Sequence, residues 1–320
     1  MLGEILTIIN NITLALSFVL NRKIEDKASP IFQNMVRNLI PTIIFGLICI
    51  SSGFIVQIYS IPWWLYLYLI VGVTFLTIIG DTTYLQSQKY IGSTKAISIT
   101  TTTPFFTILF SIIFLERPIS ISLILSGFLI GIGVLISNRQ LYLKKQQTEK
   151  EIIEENSKLV NSSKSQVETH NILKGVILAL FTAIMWSLGF VFTDYSFNKV
   201  NEILGENLLS TILALLISLG FAALVLGIFT GVGEIKHPQP KSSKTWKILI
   251  IAGLIGNFIG GITYGEGIRL AGAPFMSLIT IALPLFTLPF SYLINKEKIS
   301  KFGLIGLFFT MIGVLVVLIM

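Results

Sequence analysis

STKAISITTTTPFFTILFSIIF, residues 93–114, and APFMSLITIALPLFTLPFSYLI, residues 273–294, are two copies of one stretch. They lie inside a longer ungapped self-match, Tyr84 to Leu135 against Tyr264 to Leu315, at a constant offset of 180, with sixteen of 52 positions identical. The identities include Tyr84, Gly92, Thr100, Pro104, Phe106, Thr107, Phe110 and Gly133-Val134-Leu135. A weaker match at offset 172 pairs GEILTIINNITLALSFVL with GVILALFTAIMWSLGFVF and keeps Gly3/Gly175 and Phe18/Phe190. Duplication on this scale constrains the fold before any local reading.

The duplicated unit is a membrane unit. Hydrophobic residues make up 53% of the chain, charged residues 12%, and the mean hydropathy is +0.83. Soluble domains carry about 25% charged residues, so an integral membrane protein is expected. About 20 apolar residues cross a bilayer core. Ten segments qualify: 3–20, 36–59, 63–86, 93–115, 119–137, 174–193, 207–230, 247–268, 272–294 and 301–320. Helices are predicted throughout, because the alternation of barrel strands is missing and an open strand cannot satisfy its backbone in lipid. The first apolar run lacks a basic flank and a small-residue cleavage site, so it reads as a retained span. The lone Cys49 lies within a span and reads as a small buried residue.

Residues 138–173 read RQLYLKKQQTEKEIIEENSKLVNSSKSQVETHNILK, a solvated linker expected to be helical in its first part. It separates a first five-span repeat, 1–137, from a second, 174–320. Alternate connections receive 20 of the 23 Lys and Arg residues, leaving Arg117, Lys199 and Arg269 on the other side. The positive-inside rule then places the linker in the cytoplasm and both termini outside. Basic residues at span ends also argue against nucleic acid as a partner, despite a net charge of +7. Five is odd, so the halves enter the membrane from opposite sides. The fold expected is all-α and integral to the membrane: ten transmembrane helices as two inverted five-helix repeats. That plan belongs to secondary transporters that rock around a midplane site.

The candidate site follows from polarity inside the spans. Pro104 and Pro284 remove the helix donors to the carbonyls of Thr100 and Thr280, which then meet neighbours or line a cavity. The third span carries Thr77, Asp81 and Tyr84 on one face, and the eighth carries Asn257 and Tyr264 at matched positions. A carboxylate inside a span costs about 3 kcal/mol and turns inward, which makes Asp81 the candidate for coupling to a proton or cation. Asn10 and Ser17 lie on a polar face of the first span. Trp186 sits mid-span, too deep for an interfacial belt, and offers a stacking wall. Arg37, one turn inside the second span, is expected to snorkel to the interface. Glu266 and Arg269 are spaced to pair on one helix face. Glycines four apart, as in Gly127/Gly131, Gly227/Gly231 and Gly256/Gly260, permit close helix approach within the chain or between two protomers of a homodimer.

Other chemistries lack their residues. There is no phosphate-binding GxxxxGK[ST], no HExxH and no GxSxG, and His170 and His237 have no ligands at metal spacing. No enzyme activity, cofactor or metal is expected. Trp186-Ser187-Leu188-Gly189-Phe190-Val191, Arg37, Gly92…Pro104…Glu116-Arg117, its echo Gly272…Pro284…Glu297, and the Gly-Val-Leu triplets at 133 and 313 resemble the drug/metabolite transporter superfamily, specifically its EamA-like ten-helix branch. Leu14 stands where the first repeat of that family has tryptophan. The resemblance implies five-plus-five inverted repeats, a central cavity, and export or exchange of small metabolites such as amino acids at the cell membrane. It also implies cytoplasmic termini, against the charge count. The expectation is a secondary transporter, with a non-transporting membrane scaffold or receptor-like subunit as the alternative.

Overall fold

The computed structural model describes residues 1–24, 27–91, 96, 99–100, 102–116, 121, 124–125, 127–133, 136, 163–233, 242–295 and 301–319. Among them every regular element is helical. In chain order these are α1 (Leu2–Arg22), α2 (Pro30–Ser51), α3 (Trp63–Val73), α4 (Asp81–Ile91), α5 (Thr103–Leu115), α6 (Ser163–Leu204), α7 (Leu208–Gly233), α8 (Ser243–Gly253), α9 (Gly260–Ile281), α10 (Leu283–Asn295) and α11 (Lys301–Ile319). A π-helical turn, Thr74–Gly80, fuses α3 to α4, and a second, Leu254–Ile259, fuses α8 to α9.

Among the described residues six stretches are long and apolar enough to cross a membrane: Leu2–Asn21, Ile31–Ser51, Trp63–Tyr84, Ile172–Leu204, Leu208–Gly231 and Ser243–Ile281. Thr103–Leu115, Leu285–Ile294 and Leu304–Gly313 are apolar but shorter. Ser243–Ile281 holds 39 residues, about 58 Å if straight. It is not straight: Gly272 adopts φ 86°, ψ 161°, a conformation open only to glycine, and breaks α9 there. The expected boundary between spans eight and nine falls at this break. Of the expected fifth span, 119–137, residues 127–133 are described and helical, and the remainder lies largely outside the described residues.

Two boundaries differ from expectation. The second helix starts at Pro30, capped by Ser29 Oγ, which accepts from Phe32 N–H at 3.3 Å, and it ends at Ser51 rather than 59. Gly53 at φ 70° turns the chain there, and Phe54–Ser60 forms a separate 3₁₀ turn. Hydropathy alone could not see that stop. The sixth helix runs from Ser163 to Leu204, well past the expected 174–193. Hydropathy marks the lipid-matched part of a helix, whereas the backbone continues through polar residues at both ends. Residues 163–173 of the expected linker are thus helical, and its first part lies outside the described residues.

Packing follows the duplication. α1 lies antiparallel along the α8–α9 rod, and α6 lies antiparallel along α3–α4. A Cβ on Gly3 would meet Leu270 Cβ at 2.6 Å, and one on Gly175 would meet Tyr90 Cβ at 2.9 Å. Gly3/Gly175 and Tyr90/Leu270 are matched positions, so the same contact occurs twice. α1 also packs on α10 as α6 packs on α5, while α2 and α7 pack on each other. Phe45, Leu65, Leu69, Phe197, Leu213, Leu215 and Met276 form the main buried core. Leu47, Ile50, Leu224, Ile228, Phe229 and Phe308 are exposed, an arrangement that suits hydrocarbon rather than water.

Candidate functional site

A π-turn shifts the backbone bond from the fourth residue to the fifth and strands a carbonyl. Here a threonine answers twice. Thr83 Oγ1 lies 3.0 Å from the carbonyl oxygens of both Ile79 and Gly80, and Thr263 Oγ1 lies 3.1 and 3.0 Å from those of Ile259 and Gly260. The first turn ends in Gly80 and the second is followed by Gly260, and both glycines admit a side chain from the opposing helix. A Cβ on Gly80 would stand 2.4 Å from Trp186 Cδ1, and one on Gly260 would stand 2.9 Å from Thr13 Oγ1.

The first turn seats the Trp186 indole, whose Nε1–H donates to Asp81 Oδ1 at 3.1 Å. The Tyr84 ring lies 5.2 Å from that of Trp186, tilted by 44°. The second turn carries Asn257, whose Oδ1 accepts from Arg37 Nε at 3.2 Å and Nη2 at 3.0 Å. The Arg37 guanidinium stands 5.0 Å above the Phe18 ring, within cation–π range. Arg37 and Asp81 are both half-buried, each keeping part of its surface against open space. Thr77, at the position matched to Asn257, is half-buried in the first turn. The centre of the bundle therefore joins one cation, one anion, an amide and an aromatic wall.

The remaining sequence candidates lie around this centre in other roles. Asn10 Nδ2 donates to the Gly260 carbonyl at 2.8 Å and Ser17 Oγ to that of Ala252 at 2.9 Å, so both staple α1 to the α8–α9 rod. Thr100 is buried, and its carbonyl accepts from Thr103 Oγ1 at 2.6 Å, which replaces the donor that Pro104 lacks. Thr280 Oγ1 donates to the Met276 carbonyl at 2.8 Å. Pro104 and Pro284 sit in the first turns of α5 and α10. The chain turns just before each, at Thr102 and Ala282, where Phe105 N–H and Leu285 N–H donate back at 3.1 and 2.9 Å. Tyr264 packs its ring 6.4 Å from that of Phe190, with its hydroxyl buried beside Thr193 but outside strict hydrogen-bond geometry.

Two residues escaped the sequence reading. Arg37 does not snorkel: the bond to Asn257 and the Phe18 ring hold it inward. Pro41, one turn later, marked this part of α2 as irregular. Asp194 is fully buried, one residue past the expected end of the sixth span, and accepts from Ala273 N–H and Asn198 Nδ2 at 2.8 Å each. It thereby caps the helix that restarts after Gly272, where an anion is favoured. Close by, Arg269 pairs with Glu266 at 2.8 Å, as their spacing predicts, and Thr211 Oγ1 donates to the same carboxylate. Gly256 and Gly260 serve close approach to α1, whereas Gly131, Gly227 and Gly231 meet no neighbour within 4 Å. Among the described residues no cluster of His, Cys, Asp and Glu is suited to a metal. A groove of about 300 Å³ lined by Leu173, Lys174, Ile177 and Leu178 lies at the start of α6, away from the charged centre.

The profile of the EamA-like transporter family matches residues 1–139 and 173–319. No curated protein matches the sequence. One solved crystal structure, described only as that of a protein, superposes with a TM-score of 0.71 at 13% identity, covering 97% of this chain and 94% of its own. That likeness extends the fold assignment over nearly the whole chain.

Proposed function

The chain belongs to the EamA-like transporter family, and from that premise we propose a secondary active transporter, an exporter or exchanger of small organic metabolites such as amino acids. The observation that carries the proposal is the placement of Arg37, bonded to Asn257 on the second π-turn, and of Asp81, bonded to Trp186 at the end of the first. Two opposite charges stand between matched π-turns, beside the Trp186 and Tyr84 rings, with open space next to them. A buried charge without a task is costly, and intramembrane ionisable residues mark solute or ion pathways. In this reading a solute carboxylate competes with Asn257 for Arg37, and a solute ammonium meets Asp81. The Trp186 indole then covers its apolar part. Asp81, the only carboxylate of this cluster, is the coupling group, taking up a proton or cation when the solute leaves.

The ten-helix, inverted five-plus-five arrangement belongs to the same proposal. Matched contacts at offsets of 172 and 180 support it, as does the antiparallel pairing of α1 with α8–α9 and of α6 with α3–α4. With Lys and Arg gathered at alternate connections, the 138–173 linker faces the cytoplasm of a cell membrane. A non-transporting scaffold would call for a dry, charge-free centre, and the charged, only partly buried Arg37 and Asp81 speak against it.

Purified protein in liposomes tests the proposal. Amino acids, nucleosides, sugars and organic cations are offered singly under imposed proton and sodium gradients. Uptake or counterflow of at least one zwitterionic solute is expected. No movement of any of them, with the protein shown to be folded and inserted, sinks the proposal.

A further inference from the structure

Two aromatic pairs occupy matched positions on either side of Trp186, one toward each end of α6, and only one is closed. Phe190 matches Phe18 at offset 172, and Tyr264 matches Tyr84 at offset 180. At the end where α6 reaches Leu204, Phe190 is 5% exposed and its ring meets that of Tyr264 at 6.4 Å. Asp194 reinforces this end by tying α6 to Ala273 of α9 at 2.8 Å. At the end where α6 begins, the equivalent rings stand apart. Phe18 is 39% exposed with Arg37 over its face, and Tyr84 lies against Trp186.

Each ring pair spans two packing groups. α1 belongs with α8, α9 and α10, and α6 with α3, α4 and α5. Phe190–Tyr264 joins α6 to α9, and Phe18–Tyr84 would join α1 to α4. Because the pairs are sequence-equivalent, rocking one group against the other must trade one contact for the other. The glycines at 80, 189, 256 and 260 keep the helices within each group in close contact, so each group moves as a unit. Arg37 is the link to the solute site. In this state its guanidinium occupies the face of Phe18, and an occupied site that draws Arg37 toward the solute uncovers that ring.

We propose that Phe190–Tyr264 and Phe18–Tyr84 are the two gates of the solute pathway, mutually exclusive, with the first closed here and the second closed in the alternate state. The proposal rests on the transporter reading above. The gates are unequal: the position matched to Asp194 is Arg22, so the carboxylate latch on the Phe190 side has no duplicate. The state seen here is accordingly the resting one.

The test needs no solute. Cys49, the sole and fully buried cysteine, is first replaced by Ala. Phe190→Cys/Tyr264→Cys and Phe18→Cys/Tyr84→Cys are then treated separately with a short bis-maleimide. Both pairs cross-link, the first faster, since thermal rocking exposes the second geometry only transiently. In the protein carrying all four cysteines, the intact mass after treatment shows one cross-link per chain, the other two cysteines carrying singly attached reagent or none. Two cross-links in one chain, or no Phe18→Cys/Tyr84→Cys product at any time, overturns the proposal. If the paired variants fail to fold, single substitutions decide: a membrane-impermeant maleimide labels Phe18→Cys several-fold faster than Phe190→Cys, and equal rates overturn the assignment. Exclusive cross-links in a protein that moves no solute would leave the gates standing and remove the transporter reading instead.

Discussion

Replacing Gly80 by alanine perturbs the fold and the site through one methyl group. That Cβ would sit 2.4 and 2.6 Å from Cδ1 and Nε1 of Trp186 and 2.7 Å from the carbonyl oxygen of Phe75. Relaxed carbon contacts are about 3.5–4.0 Å, so something must move by roughly 1 Å. The Phe75 carbonyl belongs to the π-turn and cannot yield without undoing it. Either α6 lifts away or the indole rotates. Overpacking costs about 1–3 kcal/mol. Rotation leaves the Asp81 carboxylate without its indole donor, about 1–3 kcal/mol more. Alanine returns about 1 kcal/mol of helix propensity. The expected net loss is about 1–5 kcal/mol, visible as a lowered thermal midpoint in detergent and a changed Trp186 emission. Gly131→Ala is the control, because among the described residues nothing lies within 4 Å of that added methyl, and it should be neutral or slightly stabilising. If Gly80→Ala unfolds at the same temperature as Gly131→Ala, the seat drawn here for Trp186 is wrong.

Gly272→Ala forces alanine into φ 86°, ψ 161° and should cost about 1–3 kcal/mol, measured as a lower midpoint; an unchanged midpoint would mean α9 does not break there. Ser17→Ala removes the staple to the Ala252 carbonyl and should cost about 0.6–1.7 kcal/mol, the range of interhelical bonds in membranes, with transport retained in the folded fraction. Arg37→Lys keeps the charge but cannot offer a solute carboxylate the two-point contact that Arg37 makes here with Asn257, so apparent solute affinity should fall by about tenfold, the equivalent of one charge-assisted bond; undiminished affinity would place the solute elsewhere. Asp81→Asn should lower proton-driven transport and flatten its pH profile while leaving counterflow measurable; an unaltered profile takes Asp81 out of the coupling role.

The duplication made most of the architecture legible. Phe18/Phe190, Tyr84/Tyr264 and Gly3/Gly175 could be aligned by eye; the structure gives the two glycines matching contacts, while the aromatic pairs differ in theirs. The π-turns could not be read, because TFLTIIG and LIGNFI are ordinary apolar runs. What makes them π is the register of a backbone bond, fixed by close packing at Gly80 and Gly260. Thr83 and Thr263, which fill the stranded carbonyls, lie one residue before the long match begins. The prolines looked like kinks within spans, yet Thr103 satisfies the carbonyl of Thr100 and the helix restarts at Pro104. Arg37 was misjudged because a charge one turn from a helix end reaches water unless a partner intervenes. Asn257, 220 residues away in sequence, is that partner. Asp194 was missed because hydropathy falls where a buried carboxylate caps a neighbouring helix.

The account stands on Arg37 and Asp81 forming the solute site. A solute that raises the thermal midpoint of the purified protein reports binding by mass action. The measurement is that shift, at one solute concentration, in the wild type and in Ser17→Ala, Arg37→Ala and Asp81→Asn. The account predicts the full shift in wild type and Ser17→Ala, its loss in Arg37→Ala and a reduced shift in Asp81→Asn. An undiminished shift in both of the latter would contradict it.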